Sequence, residues 1–420
     1  MKDPIRLPQV AIFCGALLIP SGWGPAVARA AGHSAEAHAG VSQYDVTWST
    51  PSLDARGAMP TGNGDVGLNA WIDPTGDLIF YVSKTDAYDD NDRLLKLARV
   101  RISLSPALFS NDQPFAQRLA LGTSEIEISA GASDSKTTMR VWVDAHRPIV
   151  HVEVDSRRAF ELRARLEVWR SEDRALAKDE LAHSDPLRRD GDPGAGPATI
   201  QRADTVRTDQ RNRVVWYHHN RTSVFAATMT LQGLGGIGHT DPLLHRIFGG
   251  ALVGPGLETV DALTLKSSRA SAHQSLDVHV LTQHPSTPDS WLAGLDRNIA
   301  QAATISRTAA RAAHVDFWRG FWNRSWLRVS GPPAAPLAGE PPLSTFALAQ
   351  GYALQRYLMA CGGRGNEWVK FNGSIFTVPW EKDPDFRRWG GAQWFQNARL
   401  TYWPLLASGD FDLLNPFFRT

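Results

Sequence analysis

Hydrophobic and polar residues alternate in short runs through much of the chain, and this spacing predicts β-strands. Turn residues such as those of Asp73–Asp77 separate the runs, as expected for antiparallel strands. A long series of such runs is typical of a large two-sheet sandwich, which we place at residues 44–285. The predicted strands are Leu78–Ser83, Val100–Ser105, Thr138–Val143, Ile149–Val154, Glu161–Trp169, Val214–Tyr217 and Ser275–Leu281.

The pattern changes after residue 285. Residues 291–330 are rich in Ala and Arg, and they predict a helical connector made of one long helix or two shorter ones. A Pro-rich linker follows at 331–342. Residues 343–420 predict further helices, the first of which ends at the paired glycines Gly362–Gly363. The predicted fold class is therefore multidomain, β and then α.

The N-terminus predicts a signal peptide over residues 1–30. Lys2 and Arg6 form a positive region, and the apolar run Val10–Leu18 is too short to span a bilayer. The small residues of Ala28–Ala30 fit a cleavage site. We therefore expect an exported protein, periplasmic or extracellular, that has no membrane association after cleavage. A buried N-terminal strand or a membrane anchor is the alternative.

Composition and motifs narrow the function classes. Hydrophobic residues make up 43%, charged residues 21%, and the net charge is +1, so no nucleic-acid partner is expected. The acidic run Asp86–Asp92 lacks the pattern of a calcium loop and predicts a solvated turn. Adjacent His218 and His219 would point to opposite faces of a strand, which favours structural roles. Cys361 is expected to pack inside its helix. We predict no cofactor and no metal site.

Tryptophan is concentrated near the end of the sequence, where eight of the fifteen lie between Trp318 and Trp403. A flat indole face packs well on the apolar face of a sugar ring, although core packing between helices is the alternative for each one. Trp380, Trp389 and Trp394 lie among Gly, Pro and charged residues, which favours a position in a cleft.

Two separate segments carry a family resemblance. Met59–Gly67 resembles the Pro-x-Gly-Asn-Gly-x-x-Gly signature that opens the N-terminal sandwich of glycoside hydrolase family 95, which contains α-L-fucosidases and α-L-galactosidases. This segment is even closer to an uncharacterised N-terminal domain of exported bacterial proteins. Near the C-terminus, Tyr402-Trp403-Pro404 matches the family's Asn-x-Asn-x-x-Met-Asn-Tyr-Trp-Pro motif, and Asn397 matches its second Asn. Phe395 and Thr401 replace its first and third Asn.

The resemblance implies an (α/α)6 toroid and inverting hydrolysis of a terminal glycosidic bond. Inversion needs an acid and a base whose carboxyl groups stand roughly 6.5–9.5 Å apart. In the family both carboxyl groups lie downstream of the Tyr-Trp-Pro motif. We therefore expect residues 343–420 to hold the first hairpin or hairpins of an incomplete toroid, and this chain to be inactive alone.

Several side chains are candidates for a glycan or oligosaccharide site. Asn397 is the candidate for positioning water or a hydroxyl group, because an amide can accept and donate together; a solvated surface Asn is the alternative. Arg399 is a candidate hydroxyl binder, with a structural ion pair to Asp383, Asp385, Asp410 or Asp412 as the alternative. The predicted substrate-binding residues are Trp389, Trp394, Arg399, Tyr402, Trp403 and Asn372.

Three further alternatives remain open. Asp383 and Asp385 could form a catalytic pair, but two residues on one loop need not face each other across a sugar. Gly62-Asn63-Gly64 favours a tight turn over a ligand loop. The chain as a whole could be a non-catalytic protein whose sandwich binds glycan or packs against a partner. The sequence does not predict an oligomeric state.

Overall fold

The computed structural model describes residues 40–107, 113–177, 180, 199–332, 344–379, 383–390 and 394–419. The predicted signal peptide, most of the Pro-rich linker and Trp380 lie outside these residues. Antiparallel β structure comes first and helices follow, as the hydrophobic pattern predicts. The domain boundaries stay predictions.

Antiparallel strands form the chain up to Gln283 and pair into two layers. The strands are β1 (Val46–Trp48), β2 (Met59–Gly62), β3 (Val66–Ile72), β4 (Leu78–Tyr88), β5 (Leu94–Ser105), β6 (Phe115–Ala120), β7 (Glu125–Ala130), β8 (Thr137–Val143), β9 (Ile149–Glu167), β10 (Arg174–Ala175), β11 (Ile200–Gln201), β12 (Thr205–Val206), β13 (Arg213–His219), β14 (Ile247–Val253), β15 (Leu257–Asp261), β16 (Thr264–Ser267) and β17 (Ser271–Gln283). One layer has the order β1-β6-β7-β8-β9-β17-β14-β13-β12, and the other β2-β3-β4-β5-β9-β16-β15. β10 and β11 form a separate pair.

The long strand β9 belongs to both layers. Its first half pairs with β8 and β17, and its second half pairs with β5 and β16. The sequence predicts two strands here, because the polar stretch 155–159 interrupts the apolar alternation. The predicted interruption between the two strands is wrong. The stretch 155–159 lies within one continuous strand, at the point where it passes from the first layer to the second.

The core lies between the two layers. β2 and β3 contact β7 and β8 across it, and β5 contacts β14. Phe80, Val100, Val152 and Leu166 are fully buried in this core. Burial of each such side chain stabilises the fold by about 1.5–3 kcal/mol.

One short helix, α1 (Phe225–Leu231), lies between β13 and β14. The other described α-helices follow the β layers and are α2 (Pro288–Ala303), α3 (Arg307–Arg324), α4 (Thr345–Gly362), α5 (Phe395–Ser408) and α6 (Asn415–Arg419). The connector therefore has two helices, because Ser306 starts α3 by accepting a bond from the Ala309 amide. The hydrophobic pattern did not predict α1, which has no buried residue. α5 does not end at Pro404 but runs on to Gly409, whose φ of 73° stops it.

The turn Gly62-Asn63-Gly64 fixes the end of α4 against the β layers. Asn63 is buried, and its side chain bonds to four backbone groups. The Gly64 amide donates to the Cys361 carbonyl at 2.8 Å, and the Arg364 amide donates to the Gly64 carbonyl at 2.7 Å. A Cβ atom on Gly62 would lie 2.4 Å from the Cys361 carbonyl oxygen, so only glycine allows this approach. The motif is a structural turn here.

Candidate functional site

Three aromatic side chains, Phe371, Trp389 and Trp394, form a cluster of mutually contacting rings that we call the aromatic platform. The ring centroids of Phe371 lie 6.3 Å from Trp389 and 6.0 Å from Trp394, and those of the two tryptophans are 6.4 Å apart. The corresponding interplanar angles are 31°, 12° and 27°. Three similar centroid separations exclude a single straight stack, so the three rings are offset from one another. Trp389 and Trp394 are 51% and 52% exposed.

Hydrogen bonds from Asn372 hold the loop that carries Trp389. Its Nδ2 donates to the carbonyl oxygens of Arg388 at 2.6 Å and Trp389 at 3.3 Å. The buried Arg387 guanidinium donates in turn to the backbone and side-chain oxygens of Asn372. Trp389 has a φ of 54°, which is unusual for a residue other than glycine. Asn372 therefore positions the platform rather than offering a free amide to a ligand.

Tyr402 supports the platform segment from inside the core. Its hydroxyl oxygen accepts a hydrogen bond from the Val369 amide at 2.7 Å, and its ring lies 4.6 Å from that of Phe417. Burial raises the pKa of Tyr402 to about 12. The side chain is 2% exposed, so a ligand cannot reach it in this structure. This placement speaks against the predicted substrate contact.

Asn397, Arg399 and Trp403 lie on α5, which begins beside the platform. The half-buried Asn397 side chain forms no hydrogen bond with another residue in the described part of the chain. The Arg399 guanidinium lies 5.4 Å from the exposed Trp403 ring, and its buried Nε has no partner among the described residues. Asn397 and Arg399 thus keep hydrogen-bonding capacity, while their predicted roles stay predictions.

The carboxylates considered for Arg399 are bound by other arginines. The pairs are Asp383–Arg174, Asp385–Arg170, Asp410–Arg356 and Asp412–Arg324. The ion-pair alternative for Arg399 is therefore wrong. Asp385 is fully buried and also accepts from the Trp169 indole at 2.7 Å. Asp383 and Asp385 are not available as a catalytic pair, because each carboxylate is bound by an arginine of the β domain.

The acidic run at Asp86–Asp92 is not the solvated turn that its composition predicts. Asp89 is buried and paired with Arg93 at 2.6 Å, and buried Asp90 accepts from Thr222 at 2.8 Å. Residues of the opposite layer and of the C-terminal segment cover the run, which the local sequence does not reveal. His218 is buried and bonded to Asp204 at 2.9 Å, as expected for a structural histidine.

Ionisable groups with shifted pKa values lie next to the platform, and sequence reasoning missed them. Burial raises the pKa of Asp92 to about 6 against the opposing effect of Lys370, and burial also raises the pKa of Glu367. Burial and Arg387 lower the pKa of Lys370 to about 8. Lys370 directly precedes Phe371, so this ionisable cluster borders the platform. A carboxyl group whose pKa is raised is a better candidate for general acid catalysis than one with the usual value.

Among the described residues, no group of three or more His, Cys, Asp or Glu side chains is placed to hold a metal ion. None of the described helices combines the length and apolar character needed to cross a membrane.

Comparisons with known proteins give one family and distant structural neighbours. Residues 47–327 match the family model described as Domain of unknown function (DUF5703), and no curated protein matches the chain. A putative kojibiose phosphorylase from human microbiome is 8% identical, with a TM-score of 0.42 over 79% of this chain and 44% of its own. A bacterial glucoamylase complexed with acarbose is 9% identical, with a TM-score of 0.33 over 89% of this chain and 52% of its own. The chain thus spans about half the length of these structures. The aromatic platform lies beyond the residues matched by the family model.

Proposed function

The chain belongs to the family described as Domain of unknown function (DUF5703), and we propose that it is a carbohydrate-active protein of glycosidase type that binds a glycan on the aromatic platform. The observation that carries the proposal is the offset array of Phe371, Trp389 and Trp394, with both indoles half exposed. Half-exposed, nearly parallel indole rings can pack on the apolar face of a pyranose ring. The predicted signal peptide makes export part of the same proposal.

Polar contacts to the sugar edge would come from the start of α5. Trp394 precedes the helix, and Asn397 lies in its first turn, three residues later in the sequence. The Asn397 amide can donate to one hydroxyl group and accept from another or from water. Arg399 adds a planar guanidinium that lies 5.4 Å from the exposed Trp403 ring.

The resemblance of Met59–Gly67 and Tyr402-Trp403-Pro404 to glycoside hydrolase family 95 supplies the finer part of the proposal. It implies a terminal α-L-fucosyl or α-L-galactosyl unit and inverting hydrolysis by members of that family. For this chain alone we propose binding without turnover, since Asp383 and Asp385 are both held in ion pairs.

Catalysis by this chain is the second candidate function. It is favoured by the raised pKa values of Asp92 and Glu367 beside the platform. One of these carboxyl groups would protonate the leaving oxygen, and the other would activate water from the opposite side.

Affinity electrophoresis through gels containing different glycans tests the proposal. We expect at least one gel to retard the wild-type protein but not the Trp394→Ala variant, and no release of phenol from aryl α-L-fucosides or α-L-galactosides. A protein that no glycan retards would overturn the proposed function. Phenol release that disappears in Glu367→Gln would replace binding by catalysis.

A further inference from the structure

A cleft of about 280 Å³ lies far from the platform in sequence, between the β layers and the connector helices. β9, β14 and β17 form its floor, and the end of α2 and the start of α3 form its opposite wall. No platform residue lines it. An inference about this cleft therefore does not depend on the proposed glycan site.

A network of alternating charges lies along the floor of the cleft. Arg307 binds Asp277 through both terminal nitrogens, at 2.8 and 3.1 Å. His151 Nδ1 lies 2.7 Å from the same carboxylate, and its Nε2 lies 3.7 Å from Asp144 Oδ2. Arg147 Nε donates to Asp144 at 2.8 Å. The network thus links three basic side chains with two carboxylates.

The basic side chains of the network are not all fully paired. Burial disfavours the charged form of His151, yet the neighbouring carboxylates of Asp144 and Asp277 raise its pKa above the usual 6.5. His151 Nε2 has no hydrogen-bond partner among the described residues. One terminal nitrogen of Arg147 forms no hydrogen bond with another described residue, although Nε and the other terminal nitrogen both hold Asp144.

His279 gives the second, independent sign of a ligand site. It lines the cleft, is 5% exposed, and its Nδ1 is buried without a hydrogen-bond partner in the described residues. Burial lowers the pKa of His279 to about 4, so the ring is neutral at physiological pH. A buried polar atom left unpaired carries a desolvation cost, which a bound ligand would recover.

The remaining walls are apolar. Ile149, Val253, Ile299 and Ile305 line the cleft around the charged floor. Such walls suit a carbon skeleton rather than a fully hydrated ion. The volume limits that skeleton to a small molecule.

We propose that the cleft binds a small organic monocarboxylate, whose carboxylate group meets Arg147 and His279 while its apolar body packs on the isoleucines. An inorganic phosphate ion has no apolar part for the walls. Guanidinium groups bind carboxylates with matched planar geometry.

The test compares benzoate, its neutral analogue benzamide and inorganic phosphate by isothermal titration calorimetry and by thermal unfolding of the purified chain. We expect saturable benzoate binding with a raised Tm, and no saturable signal from benzamide or phosphate. Arg147→Gln should weaken benzoate binding at least tenfold. The matched control is Arg311→Gln. Arg311 lies on α3, one turn after Arg307, and pairs with Glu125 outside the cleft.

A second variant covers the case in which Arg147→Gln fails to fold. Ala302→Phe places a ring into the cleft from α2 without touching the charged network, and it should also abolish benzoate binding. The proposal is overturned if wild-type protein shows no saturable benzoate binding, if phosphate binds as well as benzoate, or if binding survives in Ala302→Phe.

Discussion

The rings of Phe371 and Trp394 lie 6.0 Å apart and only 12° from parallel. Phe371 follows α4 in a turn, whereas Trp394 is the residue that precedes α5. Their contact therefore joins the two ends of the segment between the helices. The platform forms only when this segment is folded. Substitutions that weaken the contacts holding the segment therefore test the platform as well as substitutions of its rings do.

We expect the ion pair of Asp385 with Arg170 to contribute most to holding the segment between α4 and α5 on the rest of the fold. Asp385→Asn removes the charge that Arg170 binds at 2.6 Å in a fully buried position, and we expect a loss of about 3 kcal/mol in the free energy of unfolding. Asp383→Asn is the matched control, because the Asp383–Arg174 pair is partly exposed and is worth at most about 1 kcal/mol. Urea unfolding of both variants measures the difference, and equal losses would contradict the assignment.

The stabilisation by Asp385 also has a predicted pH dependence. Burial would raise the pKa of Asp385, but Arg170 and the Trp169 indole outweigh it, and the pKa falls below 3.8. A lowered carboxyl pKa gives stability that is present above pH 3.8 and lost as the pH falls through the lower value. The deficit of Asp385→Asn should therefore be constant between pH 5 and 8 and shrink in stronger acid. A deficit that grows on acidification would contradict this.

Lys96 should destabilise the fold near neutral pH. Burial and Arg387 lower the pKa of Lys96 from 10.5 to about 7. Between these values the unfolded chain holds a proton that the folded chain lacks, so stability rises with pH by about 1.4 kcal/mol per unit. Lys96→Met removes this penalty and should stabilise the protein more at pH 7 than at pH 9 in urea unfolding. Lys266→Met, at an exposed lysine, is the control and should show no such change.

The outer face of α5 should bind an apolar dye. Leu400, Trp403 and Leu406 are all exposed and recur at three-residue spacing along this helix. A contiguous apolar surface of this kind promotes association. Leu400→Gln combined with Leu406→Gln should reduce fluorescence of a bound naphthalene sulfonate dye, whereas Leu53→Gln, at an isolated exposed leucine, should not. Undiminished fluorescence in the double variant would show that this face is not the dye site.

The sequence predicted the exposed tryptophans better than the buried charged residues. Trp389 and Trp394 were recognisable because Gly, Pro and charge surround them, but Phe371 was not, since its partners are distant in sequence. The acidic run before β5 looked solvated, yet long-range contacts bury Asp89 and Asp90. β9 likewise looked like two strands, because a local pattern cannot show that a polar stretch connects two layers. Periodicity reports local structure, whereas burial of charge depends on tertiary contacts.

The most direct test is a calorimetric titration with the glycan that retards the protein most strongly, comparing wild type with Trp394→Ala and Trp48→Ala. Trp48 is also an exposed tryptophan but lies on β1, away from the platform. We expect Trp394→Ala to weaken binding at least tenfold, equivalent to about 1.4 kcal/mol, and Trp48→Ala to leave it unchanged. Equal affinity of wild type and Trp394→Ala would contradict glycan binding on the platform.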